Sequence, residues 1–250
     1  MDDQSHIVII GATSAIAEHC ARLWAARGPA HFILVGRSRE RLERVAQDLA
    51  VRSPASTIRV FEANMVDAQA ITDTIAGIEA EGAVDTVLIA HGVLPDQAQG
   101  QDDLLATSQS LTINAISPVL YAEGFARAML ARNRGRIAVI GSVAGDRGRK
   151  SNYIYGAAKG LISRYVEGMQ HRLAGSGVKV VLIKPGPTDT PMAAQHKANG
   201  VKLAPVEQVA RQIVAAIEAG RPVLYTPHRW LLIMLVVRLM PRWVFNKINI

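Results

Sequence analysis

Tyr155 and Lys159 stand four residues apart in a stretch with helical periodicity, so their side chains share one face, one turn from each other. A free phenol titrates near 10, too high for efficient proton exchange at neutrality. An ammonium one turn away favours the phenolate, and lowering the pKa by about three units corresponds to roughly 4 kcal/mol of differential stabilisation. Such a phenol can pass a proton to a carbonyl oxygen while hydride arrives at the carbon. Ser142, at the end of the preceding predicted strand, is placed to polarise the same oxygen, and Asn114 lies further upstream. Tyr153 is the rival tyrosine, but no basic residue follows it four positions on, so packing or a substrate contact suits it better. Taken alone, a Tyr-x-x-x-Lys pair also describes a solvated helix face.

Hydride needs a carrier, and the first strand ends in a turn that suits one. Gly11-Ala12-Thr13-Ser14-Ala15-Ile16-Ala17 runs directly into a helix containing Leu23 and Trp24. At the carboxyl end of a strand, a helix N-terminus offers free N–H groups to a phosphate, and small residues let the backbone approach it. Thr13 and Ser14 can add hydroxyl donors. Strand two ends in Gly36-Arg37-Ser38. An acid at this point would hold a ribose diol, whereas an arginine pairs with a 2′-phosphate. NADP(H) is therefore the expected cofactor, with NAD(H) as the alternative.

These groups must be positioned by a repeating scaffold. Ile7–Ile10, Phe32–Val35, Ile58–Phe61, Val84–Ile89, Ile137–Ile140 and Val178–Ile183 are short apolar runs that read as strands, with a last one at Pro222–Tyr225. Near-continuous apolar strands are buried on both faces, as in parallel sheets. Helix-period segments lie between them, for example Arg39 to Val51 with Leu42, Val45 and Leu49. The alternation predicts an α/β fold, a doubly wound parallel sheet flanked by helices. No polar linker divides residues 1–250, so one domain is expected.

Composition narrows the function classes. The 250 residues are 49% hydrophobic and 20% charged, an ordinary globular mixture. Cys20 is the single cysteine, which excludes an intramolecular disulfide and cysteine-based metal clusters, and no metal site is expected. The opening Met1-Asp2-Asp3 carries acids where a secretory leader carries positive charge, so a cytoplasmic protein is expected. The net charge of +7 is concentrated late: five Lys or Arg and no acid fall between Arg221 and Ile250. No nucleic-acid-binding module accompanies it, so nucleic acid is not an expected partner.

Residues 227–250 form an apolar and basic extension. The run Trp230–Val237 is ended by Arg238, far short of the roughly 20 residues that span a bilayer. A helix apolar nearly all round, flanked by arginine and tryptophan, can lie in a membrane interface, line a greasy pocket or join subunits.

In order and spacing, Gly11–Ala17, Ala90-His91-Gly92, Asn114, Ser142, Tyr155/Lys159 and Pro185-Gly186 resemble the short-chain dehydrogenase/reductase superfamily. The resemblance implies a Rossmann-type sheet of about seven strands. It implies a catalytic tetrad of Asn114, Ser142, Tyr155 and Lys159, with the lysine also holding the nicotinamide ribose. It implies that Gly11, Thr13, Ser14, Ala15 and Ile16 cradle the pyrophosphate, and that Arg37 and Ser38 meet the adenosine ribose. Asn64 and Met65 would lie at the adenine, and Ala90, His91 and Gly92 beside the cofactor at strand four. Pro185, Gly186, Thr188 and Thr190 would face the nicotinamide. The sequence departs from the family pattern at Ala15 and Ala17, where glycines are usual, at Asn64, where an acid is common, and at His91.

A closer resemblance lies in Gly145–Tyr155 and in the ending from Pro222, which are similar to decaprenylphosphoryl-2-keto-erythropentose reductases. This resemblance implies reduction of the 2-keto group of a polyprenyl-phosphate-linked pentofuranose, beside a flavin oxidase, for arabinose donor synthesis. Arg147, Arg149, Tyr153 and Trp230 are then the substrate candidates, and the extension is expected to touch the inner face of the membrane. A homo-oligomer is expected as well. Two rival readings are a soluble reductase of 3-ketoacyl thioesters or small carbonyls, and a non-catalytic NADP(H) sensor.

Overall fold

The apolar segments become β1 (Ser5–Ile10), β2 (Ala30–Gly36), β3 (Thr57–Glu62), β4 (Thr86–Ile89), β5 (Gly135–Ile140), β6 (Val178–Pro185) and β7 (Val223–Thr226). In the computed structural model they pair in parallel in the order β3-β2-β1-β4-β5-β6-β7. Residues 4–194, 198 and 200–248 are described. Met1-Asp2-Asp3, on which the absence of a leader was argued, and the closing Asn249 and Ile250 of the extension lie outside the described residues. Ile7 sits opposite Phe32 of β2 on one side and Thr86 of β4 on the other. The strand order reverses between β1 and β4, which opens a crevice at their carboxyl ends.

Alternate side chains supply two cores. Ile7 and Ile9 of β1 join Phe32 and Leu34 under α1 (Ala15–Ala25), α2 (Arg39–Arg52) and a later helix, Val206–Glu218. Val8 and Ile10 point the other way, against α3 (Ala68–Ala80), then α4 (Gln97–Asp102) and α5 (Leu104–Leu111) in chain order, α6 (Ser117–Ala131) and α7 (Tyr153–Leu173). Of these, α3, α6 and α7 carry the apolar residues of that core. The Val206–Glu218 segment is α8. Two features of the strands differ from expectation. β4 begins at Thr86 rather than Val84, and the Asp85 carboxylate just before it accepts from the His6 N–H and from Arg134. β3 is a sheet edge and keeps Arg59 and Glu62 exposed, so it is not buried on both faces.

The loop after β5 is fixed from below. Lys184 of β6 is buried and pairs with Asp146 at 2.6 Å, and the Tyr225 hydroxyl of β7 donates to the other oxygen of that carboxylate at 2.8 Å. Burial, with Asp146 adding to it, pushes the Tyr225 phenol up to about 12, so the donor keeps its proton. Asp146 closes the 3-10 turn that begins immediately after Ser142. The extension forms α9 (Arg229–Leu239) and α10 (Arg242–Phe245), separated by Pro241. Met234 is the one buried residue of α9; Leu232, Val236 and Leu239 are exposed at 67%, 62% and 74%. No helix among the described residues is long and apolar enough to cross a membrane.

Removing one partner of a buried ion pair leaves an uncompensated charge. Lys184→Met is expected to cost about 3–5 kcal/mol in urea unfolding; a loss under 1 kcal/mol would show that Asp146 is not held by this contact.

Candidate active site

A cavity of about 630 Å³ opens along the carboxyl ends of the central strands. That volume lies within the range of ligand cavities. All four tetrad residues line it, as does every residue expected at the cofactor except Asn64. Asn64 is exposed and spends its side-chain oxygen on the Val66 N–H, while Met65 and Val66 form the wall at that point. Of the four substrate candidates, Arg149 and Trp230 line the cavity and Arg147 and Tyr153 do not.

The turn after β1 is built for close approach. Gly11 has φ +81°, and a Cβ there would lie 2.6 Å from the His91 nitrogen, so both conformation and space demand glycine. Its N–H and that of Ala12 bond to Val35, which ties the turn to β2. Ser14 is the N-cap of α1 but makes no side-chain cap bond, so its hydroxyl and the first α1 amides remain available at the cavity. Ala17 is fully buried, where only helix packing is asked of it. At the end of β2, Arg37 and Arg41 both line the cavity. Arg41 escaped notice in the sequence, although it stands one helical turn after Arg37.

Asn114 is fully buried in a π-helical turn, Thr112–Ile116, that joins α5 to α6. Such turns recur at functional sites. Its side-chain oxygen accepts from the Val93 N–H at 2.9 Å and its amide donates to Ser110 at 3.2 Å. A Cβ on Gly92 would lie 2.8 Å from that oxygen and 3.7 Å from the Lys159 ammonium, so the two groups face the same point. Lys159 donates to the Ile140 carbonyl at 3.0 Å and lies 5.7 Å from the centre of the Tyr155 ring. Ser142 Oγ accepts from the Ala144 N–H at 3.1 Å, which leaves its proton free to donate.

Electrostatics corrects one expectation. Burial pushes the Tyr155 phenol up to about 12, and the hydrogen bond from Ser142 draws it only partly back. Burial likewise brings Lys159 down to about 8. The expected lowering of the phenol by its lysine does not prevail in the folded chain, because desolvation disfavours both charged forms. Tyr155 therefore holds its proton at neutral pH, the form required for donation to a carbonyl oxygen.

Arg147, expected to meet a substrate phosphate, is committed elsewhere. Its guanidinium donates to the carbonyls of Val237 and Met240 and stacks 3.7 Å from the centre of the Phe245 ring. The last carbonyls of a helix lack intrahelical donors, and Arg147 satisfies them for α9. Tyr153 is 44% exposed at the start of α7.

A doubly wound parallel sheet with a phosphate-sized turn at its reversal and a Tyr/Lys pair beside it defines a dinucleotide-dependent oxidoreductase. The sequence profile described as short chain dehydrogenase matches residues 5–200. An uncharacterized oxidoreductase of Mycobacterium tuberculosis is 31% identical over 254 residues, covering 99% of each chain. Another from Streptomyces coelicolor is 28% identical, covering 97% of this chain and 95% of the relative. Among solved structures, levodione reductase superposes with a TM-score of 0.78 at 19% identity, covering 89% of this chain and 95% of that one. A short-chain type dehydrogenase/reductase from Mycobacterium ulcerans gives 0.77 at 20% identity, covering 99% and 98%. The chain belongs to the short-chain dehydrogenase/reductase family and is an NAD(P)-dependent dehydrogenase or reductase.

His91 shares a 2.8 Å hydrogen bond with Ser117, and burial, then the charges of Lys159 and Arg37, hold it down to about 3. The unfolded imidazole titrates near 6.5, so the unfolded chain takes up the proton first and stability falls as pH drops from about 6.5 toward 3. His91→Asn is expected to flatten that slope by about 1 kcal/mol per pH unit in urea unfolding between pH 6.5 and 4.5. Equal slopes in the two proteins would show that the imidazole protonates freely in the fold.

Proposed function

We propose that the protein is an NADPH-dependent reductase that converts a ketone to a secondary alcohol at Tyr155. The observation that carries this reading is the protonated phenol of the partly buried Tyr155, with Ser142 beside it and Lys159 one turn away. When bound, the dinucleotide supplies hydride to the carbonyl carbon. Tyr155 donates its proton to the carbonyl oxygen, and Ser142 offers a second hydrogen bond to the same oxygen. Lys159, a cation at neutral pH with a proton directed to Ile140, stabilises the phenolate left behind and is set to hold the ribose. Asn114 keeps the π turn anchored at Val93, next to the ammonium. Arg37 and Arg41 supply two cations where a 2′-phosphate would lie, which supports NADPH over NADH.

The substrate in this reading is a polyprenyl-phosphate-linked 2-keto pentofuranose, whose ketone a separate oxidase of the flavin type would generate from the alcohol. Trp230 on the cavity wall begins α9, and the same helix exposes Leu232, Leu235, Val236 and Leu239. An isoprenoid chain leaving the cavity meets this apolar surface, and Arg229, Arg238 and Arg242 flank it for anionic headgroups. The protein then lies against the cytoplasmic leaflet.

Tyr155→Phe is expected to lower kcat for ketone reduction by about 10²–10⁴ with dinucleotide affinity retained. Arg37→Asp is expected to weaken NADPH binding at least about tenfold more than NADH binding. Full activity in the first variant refutes the acid; equal losses in the second refute the 2′-phosphate contact.

For α9, combined Leu232→Asp, Leu235→Asp and Leu239→Asp is expected to abolish co-sedimentation with phosphatidylglycerol vesicles. If these changes instead convert a dimer to a monomer in light scattering, with no vesicle binding in either protein, the face belongs to a second copy of the chain.

A further inference from the structure

Arg149 and Asn152 stand on the cavity wall with buried polar atoms unspent. Arg149 Nε has no hydrogen-bond partner, and among the described residues its guanidinium makes no ion pair. Desolvation alone acts on its titration, pushing it down, so no carboxylate compensates the charge. Asn152 is the N-cap of α7, where asparagine usually spends its oxygen on an amide of the first turn. Here it makes no such bond, and Oδ1 is buried without a partner. The Asn152 N–H donates to the Arg149 carbonyl at 3.1 Å, a turn that holds both residues at the wall. A third unspent atom, Trp230 Nε1, is packed so closely over Gly186 that a Cβ there has no room.

Charge and distance separate this group from the cofactor cations. Among the described residues no Asp or Glu lines the cavity, so none of them pairs with Arg149 across it. Arg37 and Arg41 follow β2, whereas Arg149 follows β5, three strand spacings away in the sheet order. Those strands lie about 14 Å apart in the sheet, with β1 and β4 between them. Buried polar groups are costly to leave unmade, and this cation, acceptor and donor line the same cavity as Tyr155.

We propose that Arg149, Asn152 and Trp230 recognise an anionic, hydroxyl-bearing substituent of the substrate. The anion pairs with the Arg149 guanidinium, a substrate hydroxyl donates to Asn152 Oδ1, and a neutral oxygen accepts from Trp230 Nε1. The inference rests on the reading that a ketone is reduced at Tyr155. It adds the three residues that select the substrate, and it holds equally for a phosphate ester or a carboxylate.

The test uses the full chain and two matched ketone pairs, dihydroxyacetone phosphate against dihydroxyacetone and acetoacetate against methyl acetoacetate. In the wild type, kcat/KM is expected to favour the anionic member of at least one pair by tenfold or more; the pair that responds tells phosphate from carboxylate. Arg149→Gln is expected to bring that ratio close to one, and Arg149→Lys to restore part of it. Asn152→Ala is expected to reduce turnover of dihydroxyacetone phosphate more than that of acetoacetate, whereas a defect in α7 would reduce both alike. In parallel, calorimetry follows inorganic phosphate and acetate binding to the dinucleotide-loaded protein, with a loss of tenfold or more expected in Arg149→Gln. Ratios near one in the wild type, ratios that survive Arg149→Gln, or an equal loss of dinucleotide affinity in that variant would each overturn the proposal. If no ketone is reduced while anion binding still depends on Arg149, the reductase reading fails and the anion site stands.

Discussion

Desolvation of charge governs this molecule. Lys159 and Arg149 stand at the cavity wall, with the more exposed Arg37 and Arg41 at its β2 end, and no carboxylate among the described residues lines it. Ions without partners are expensive in a low-dielectric interior, so such a site relaxes either by losing protons or by taking up an anion. Lys159 takes part of the first course, falling to about 8, and Tyr155 keeps its proton by the same physics. His91 stays neutral beside them. The result is a proton donor in a positively biased pocket, a setting that stabilises oxygen anions.

The scaffold secures this pocket by spending polar groups elsewhere. Asp146 ends the turn after Ser142 and is gripped from β6 and β7 by Lys184 and Tyr225. The neighbouring Arg147 reaches outward and caps α9. Ser142 and the amphiphilic extension are thus attached to opposite ends of one short segment. A displacement of α9 would act on the 3-10 turn that positions the serine, whereas the buried Lys184–Asp146 pair resists that displacement. Trp230 adds a second link, because its indole sits on Gly186 and lines the cavity at the same time.

The sheet and the main chemical groups could be read from local patterns because local chemistry determines them. Apolar β-branched runs specify strands wherever both faces are covered, and Arg39–Val51 carried enough periodicity to place α2 within one residue of its end. β3 broke the rule because edge position depends on strand order, which no single run encodes. Some cavity residues followed from the turn at Gly11 and the Tyr155/Lys159 pair, whereas Ala90–Gly92 and Pro185–Thr190 came only from the family resemblance. What escaped were properties set by distant neighbours. The phenol pKa depends on how much protein surrounds it, the role of Arg147 on carbonyls ninety residues away, and the unspent oxygen of Asn152 on a cap bond that is not made. Asn64 shows the converse, a position matched by pattern whose side chain turned back to its own backbone.

Polarity varies along the cavity in a way that constrains any ligand. Two arginines stand where β2 ends, the neutral turn of Gly11 and the free α1 amides follow at β1, and the phenol and ammonium come beyond β4. Arg149 and Asn152 mark the far side, where Trp230 begins a helix with an apolar exposed surface. In the proposed reading the dinucleotide's 2′-phosphate meets the first two cations, a separate substrate places its anion at Arg149, and the reducible group lies between them at Tyr155. Trp230 of α9 lines the cavity itself and packs on Gly186, so the exposed apolar surface of that helix continues directly from the cavity wall.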